Sequence, residues 1–234
     1  TKAERSFLLA SKQQGSKSTR LDAIENLAAL RLRQNNIPEF ISLYRQAIAS
    51  SPRNAWVYQE FAKLLLTVKM WNLAIENSRK ALTIMRFSEA ESVLAEALIQ
   101  KASTIYFTTP GIPTDNPTAL EEADKLAVES IKYNRQEPLA YRIAGHASFV
   151  KALAGDYNAL IATHSYFRKA VELGLPDAWI QERYTTAKQS LEMRRPMAQV
   201  WAAYLAANPS RQNRLPATKP PSGSTPVVPP VNSG

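Results

Sequence analysis

Cysteine is absent from the 234 residues, which excludes disulfides, thiol nucleophiles and zinc sites of the cysteine type. Glycine is scarce, at 7 residues, and none of them forms a GxGxxG or Walker-type phosphate cradle. No GxSxG elbow supports a serine nucleophile. No run of about 18 apolar residues occurs, so no segment reads as a membrane-spanning helix. The only histidines, His146 and His164, lack an HxxxH or HxxE companion and so predict no metal or acid–base site. His146 is expected to be packed or groove-facing, and His164 to lie on a helix surface. No cofactor, small-molecule substrate or enzymatic activity is expected. The acidic run Glu121, Glu122 and Asp124 opens a helical pattern, where carboxylates favour the positive end of the helix dipole.

The net charge is +9, and its location matters more than its size. Residues 1–20 carry five bases against Glu4 alone. Residues 194–234 carry Arg194, Arg195, Arg211, Arg214 and Lys219 with no acid. The stretch between, 21–193, balances 19 bases against 19 acids. A neutral body argues against a basic groove for nucleic acid, whereas basic ends fit an anionic membrane surface or solvated tails. The chain opens on Thr1 with no basic-then-apolar leader, which leaves an upstream segment open.

What the sequence does contain is helix. Residues 1–19 read as a short basic helix and a Gly/Ser/Lys joint at Gly15–Thr19. Residues 20–193 form a nearly continuous series of helical patterns. One stretch interrupts them, TTPGIPTDNPT at 108–118, whose three prolines and one glycine predict a loop. A closing helix is expected over 194–207. Residues 208–234 hold seven prolines without periodicity and predict an extended tail.

The helical series repeats itself. Setting residues 21–54 above 55–88, an offset of 34, places Ile24 on Tyr58, Leu27 on Phe61, Ala28 on Ala62, Phe40 on Ala74 and Ala47 on Ala81. Each block reads as helix, short turn, helix. The small residues mark where two antiparallel helices approach closely, and Ala62 is expected to face Ala81. Residues 89–137 read as a third unit carrying the Pro-rich insertion, with Ala123, Ala127 and Ser130 on its second helix. Residues 138–175 read as a fourth, with Tyr141, Ala144, Gly145, Phe167 and Ala170. A fifth first-helix is expected over 176–193.

This spacing resembles the tetratricopeptide repeat. The first block supplies Ile24, Leu27, Ala28, Tyr44, Ala47 and Pro52, but has Arg31 where an aromatic is usual and Phe40 where Ala is usual. The second supplies Tyr58, Phe61, Ala62, Ala74 and Ala81, with Ser78 in place of the aromatic. The resemblance implies an all-α, right-handed solenoid of antiparallel helix hairpins, four to five repeats in about ten to twelve helices and no sheet. It also implies a concave groove that binds a protein or peptide partner, lined by the first helix of each hairpin.

In that register the groove candidates are Arg33, Trp56, Gln59, Lys63, Arg142, His146 and Phe149. The grip on a chaperone's terminal carboxylate found in some members is opposed by Glu60, which falls where an Asn is expected. The expected function is a scaffold or adaptor subunit, with membrane association through the basic ends. The alternatives are an RNA-binding helical repeat protein and the non-catalytic repeat region of a longer envelope or membrane enzyme. A cysteine-free chain with a Pro/Ser/Thr tail fits a bacterial envelope compartment, with a cytoplasmic site left open.

Overall fold

A computed structural model describes residues 17–109, 112–114, 116–153, 156–175 and 178–207, with Lys2, Arg5, Ser6 and Leu9 as isolated helical positions. The expected tail at 208–234 and most of the expected N-terminal helix lie outside the described residues. Nine helices run through the described residues: α1 (Lys17–Arg33), α2 (Ile37–Ser50), α3 (Ala55–Thr67), α4 (Trp71–Ile84), α5 (Ser88–Tyr106), α6 (Pro117–Tyr133), α7 (Pro138–Leu153), α8 (Tyr157–Glu172) and α9 (Ala178–Ala207). The chain divides into two compact units, Thr1–Lys101 and Ala102–Gly234, with the boundary inside α5.

In the first unit α1 pairs with α2 and α3 with α4. Side-chain caps fix where the second and third of these helices begin. Asn36 accepts from the Glu39 amide while its own Nδ2 donates to the Glu39 carboxylate at 2.9 Å, a reciprocal cap ahead of Pro38 in the first turn. Asn54 caps α3 by accepting from the Trp56 amide at 3.1 Å.

The turns inside the two hairpins are the same turn twice. Asn35 and Lys69, 34 residues apart, both take left-handed φ, 57° and 59°. Each turn closes with a matching pair of bonds: Asn36 N–H to Arg31 C=O and Met70 N–H to Leu65 C=O, then Asn35 N–H to Leu32 C=O and Lys69 N–H to Leu66 C=O. The sequence repeat is therefore a backbone repeat as well.

Ala28, Ala47, Ala62 and Ala81 are fully buried. Their pairing differs from the expectation. Ala81 packs with Ala55, Tyr58 and, from α5, Ala90, so it does not face Ala62. The antiparallel run that sets Ala81 level with Ala55 sets Ala74, about two turns back, level with Ala62, about two turns on. The two departures from the repeat pattern are also accommodated. Phe40 packs against Tyr44 (centroids 5.5 Å apart) and Phe61 (5.6 Å), and Tyr44 stacks on Phe61 at 4.7 Å. Each such aromatic pair adds roughly 0.5–1.5 kcal/mol beyond its area. Arg31 turns to Glu39 at 2.8 Å. Ser78 is fully buried with no hydrogen-bond partner for its hydroxyl, so its site lacks both the usual ring and a satisfied polar group.

In the second unit α7 packs against α6, α8 and α9. Ala140 through Ser148 are all buried, which is why this helix shows no one-sided apolar stripe. Asn116 caps α6 through the Thr118 and Ala119 amides, and Asp156 caps α8 through Asn158 and Ala159. Gly145 meets Phe167 so closely that a Cβ there would lie 2.5 Å from the Phe167 ring. The contact of α7 with the Phe167 ring of α8 thus takes glycine.

Three further expectations are corrected. The stretch 108–118, read as a loop, contributes to a two-stranded antiparallel ribbon, β1 (Phe107–Thr109) and β2 (Ile112–Pro113), with Phe107 opposite Pro113 and Thr109 opposite Ile112. Phe, Thr and Ile suit a strand, and Pro113 is tolerated because a two-stranded ribbon leaves an unpaired edge. The expectation of no sheet is therefore overturned, although the helical fold stands. Residues Lys17–Thr19, read as part of a joint, already belong to α1. Finally, α9 is one helix of 30 residues where two were expected to meet near residue 194. Pro196 removes one amide donor, and the remaining residues around it are good helix formers.

Candidate functional site

The groove candidates separate by unit and by accessibility. In the first unit Arg33 and Lys63 are exposed, and Lys63 lies 3.6 Å from Glu60. Gln59 is buried, and its side-chain oxygen has no hydrogen-bond partner, which removes it from direct contact with a partner. Trp56 is 49% exposed and leans on Phe87 with ring centroids 4.5 Å apart. It stands at an open cleft of about 820 Å³ lined by Ser51, Pro52, Arg53, Asn54, Ala55, Ile84 and exposed Met85. On α1, burial pushes the Glu25 carboxyl above its ordinary value, and repulsion from Asp22 and Glu60 adds to the shift. Burial likewise pushes the Tyr44 hydroxyl up, with Glu25 and Glu60 adding to it. This side of the first unit is acidic, with Lys63 set against it.

The second unit gathers its candidates around one tryptophan that sequence reading missed. Arg142 and His146 are buried one turn apart on α7. The Arg142 guanidinium lies 5.3 Å from the Phe107 ring, 5.5 Å from Trp179 and 6.0 Å from Tyr106. His146 Nδ1 is 3.1 Å from the Tyr106 hydroxyl, and its ring meets Trp179 edge-on at 4.7 Å. From α9, Arg183 stacks on Trp179 at 3.8 Å and reaches within 5.7 Å of Phe149. Phe149, Trp179 and Arg183 are each partly exposed. Cation–π contacts of this kind contribute about 0.5–1 kcal/mol when exposed and about 2 or more when desolvated.

The structure therefore brings Arg142, His146 and Phe149 together with Tyr106, Phe107, Trp179 and Arg183. The one available signal for the last pair was their i, i+4 spacing on a helix. Phe107 arrives on strand β1, which the Pro-rich composition concealed. His164 is half-buried and stacks on Tyr184 with centroids 5.1 Å apart, as a side chain on a second helix can. Among the described residues no group of three His, Asp or Glu is placed to hold a metal ion, and no helix is long and apolar enough to cross a membrane.

Antiparallel hairpins closed by recurring small residues make this a tetratricopeptide-like helical repeat protein. No protein-family model and no curated protein matches the sequence. Among solved structures the chain is similar to the MamA RS-1 ArsTM double mutant, at 12% identity over 74% of this chain and 95% of that one, with a TM-score of 0.39. It is also similar to TTC0263, a thermophilic TPR protein of Thermus thermophilus, at 17% identity over 82% of this chain and 94% of that one, with a TM-score of 0.32.

Proposed function

We propose that the protein is a non-catalytic interaction scaffold that binds another protein or a peptide segment. The observation that carries this reading is Trp56, a large aromatic side chain half exposed over an open cleft, backed by Phe87 and flanked by exposed Met85 and Arg53. Tryptophan and arginine are the residue types that most often anchor protein interfaces, because they remove much apolar area from water at small entropic cost. The open cleft suits a side chain presented by a partner better than an enclosed small ligand. Association with an anionic membrane through the basic ends belongs to the same reading and rests on their charge alone.

The test is site-specific photo-cross-linking in the native host, with a photoreactive amino acid at position 56. A small set of discrete protein adducts, lost when the probe is moved to exposed Lys80, is the expected result. Adducts to RNA, or none above the Lys80 control, would replace this reading with another.

A further inference from the structure

Deepening that reading, we infer that the second unit recognises an acidic peptide segment, with Arg183 as the guanidinium that meets a partner carboxylate and Trp179 with Phe149 as the apolar bed beside it. A guanidinium stacked face-on keeps its in-plane N–H donors pointing outward, so the ring orients the fork without consuming it. The Arg183 guanidinium lies over the Trp179 ring, 3.8 Å from its centroid, and its side chain is 27% exposed. Its hydrogen bonds are both long, 3.5 Å from Nη1 to the Trp179 carbonyl and 3.5 Å to the mostly exposed Glu182 carboxylate. Its Nε is buried without a hydrogen bond, so a partner would meet the terminal nitrogens.

A second positive charge backs the same ring, since Arg142 lies 5.5 Å from the Trp179 centroid. On α7 and α8, Lys151 pairs with Asp124 at 3.2 Å, and Arg168 and Lys169 share Glu172 at 3.4 and 3.5 Å, contacts comparable in length to that of Arg183 with Glu182. Two guanidinia on one tryptophan raise the local potential, and an incoming carboxylate lowers it. Stacking has already restricted the Arg183 side chain, so less freedom is lost on binding. A peptide suits the site better than a free anion because Phe149 and Trp179 offer apolar surface that a neighbouring side chain would cover.

The experiment pans a random peptide display library on the immobilised full chain, then measures the enriched peptides by fluorescence anisotropy. Enrichment of Asp- and Glu-containing peptides is expected, with affinity weakened by salt and reduced at least about tenfold by Arg183→Gln. Arg168→Gln, which removes an arginine of α8 in place of the one over Trp179, serves as the control and leaves affinity unchanged. Arg183→Lys, which keeps the charge and loses the planar stack, falls between. Should Arg183→Gln lose helix content by circular dichroism, Arg183→Lys decides, and unchanged affinity there would overturn the inference. Enriched peptides without acidic bias, or acidic ones indifferent to Arg183→Gln, would also overturn it while leaving the scaffold reading intact. Oligouridylate binding as tightly as the acidic peptides would overturn it in favour of a nucleic acid. No enrichment of any peptide would overturn this inference and leave the scaffold reading to the cross-linking at position 56.

Discussion

The hairpin of α3 and α4 and the hairpin of α7 and α8 meet the same packing demand with different residues. The first buries alanine on both helices, Ala62 and Ala74, and leaves buried Ser78 where a ring would be usual. The second places Gly145 on α7 and drives the Phe167 ring into the space that a side chain would have filled. The difference is one of volume exchanged across a fixed gap: small against small in one case, nothing against large in the other. Close-packed interiors conserve summed volume more strictly than residue identity. The second hairpin is therefore more dependent on a single ring than the first.

That dependence gives the largest expected effect. Phe167→Ala should remove about 3–5 kcal/mol from the second unit, since the ring is fully buried and Gly145 leaves nothing to relax into its place. Hydrogen exchange should rise across α7, α8 and α9, with the first hairpins changed less. Equal loosening across both units would show that the contrast does not hold.

A smaller effect tests the other side of the contact. Alanine at 145 would gain about 0.8–1.0 kcal/mol of helix propensity, but its Cβ would sit 2.5 Å from the Phe167 ring. Overpacking of that kind costs about 1–3 kcal/mol, so Gly145→Ala should destabilise on balance. Denaturant titration would show it, and a stabilised variant would mean that Phe167 yields easily.

The smallest effect concerns electrostatics, where the units also differ, with carboxylates crowded in one and guanidinia stacked on rings in the other. The Glu25 carboxyl titrates above its ordinary value because of burial first and then Asp22 and Glu60. The folded state thus holds this proton more tightly than the unfolded chain does. Its contribution is fully present below the unfolded carboxylate value and is lost as pH rises through the raised one. Glu25→Gln should therefore raise the melting temperature at neutral pH and leave it nearly unchanged in mild acid. A melting temperature unmoved at neutral pH would show that Glu25 is not strained there.

Much of the fold was legible because repetition exposes it. The 34-residue offset found Ala28, Ala47, Ala62 and Ala81, all buried, and the resemblance reached Gly145 without any measurement of its surroundings. Which alanine faces which was less legible, since register across a hairpin depends on the turn, and the left-handed residues Asn35 and Lys69 are ordinary in sequence. The ribbon at Phe107–Pro113 was hidden by its own prolines. Trp179 and Arg183 escape the repeat register because it marks the first helices of the clearest repeats, and ring contacts between residues of α7 and α9 leave no periodic trace. The accessibility of Gln59 and Arg142 was equally hidden, because spacing gives a face and neighbours decide its burial.

The ribbon also has a practical consequence for engineering. The Tyr106 carbonyl and the Thr114 amide are hydrogen-bonded at 2.7 Å, so the chain leaves and re-enters the helical body at one point. A detour whose two ends are pinned together acts as a port. Foreign sequence placed between Thr109 and Ile112 would form a loop between strands already paired at its base. Each doubling of such a loop costs only about 0.6 kcal/mol in closure entropy. A fluorescent protein or an affinity handle could be housed there without altering either basic end of the sequence.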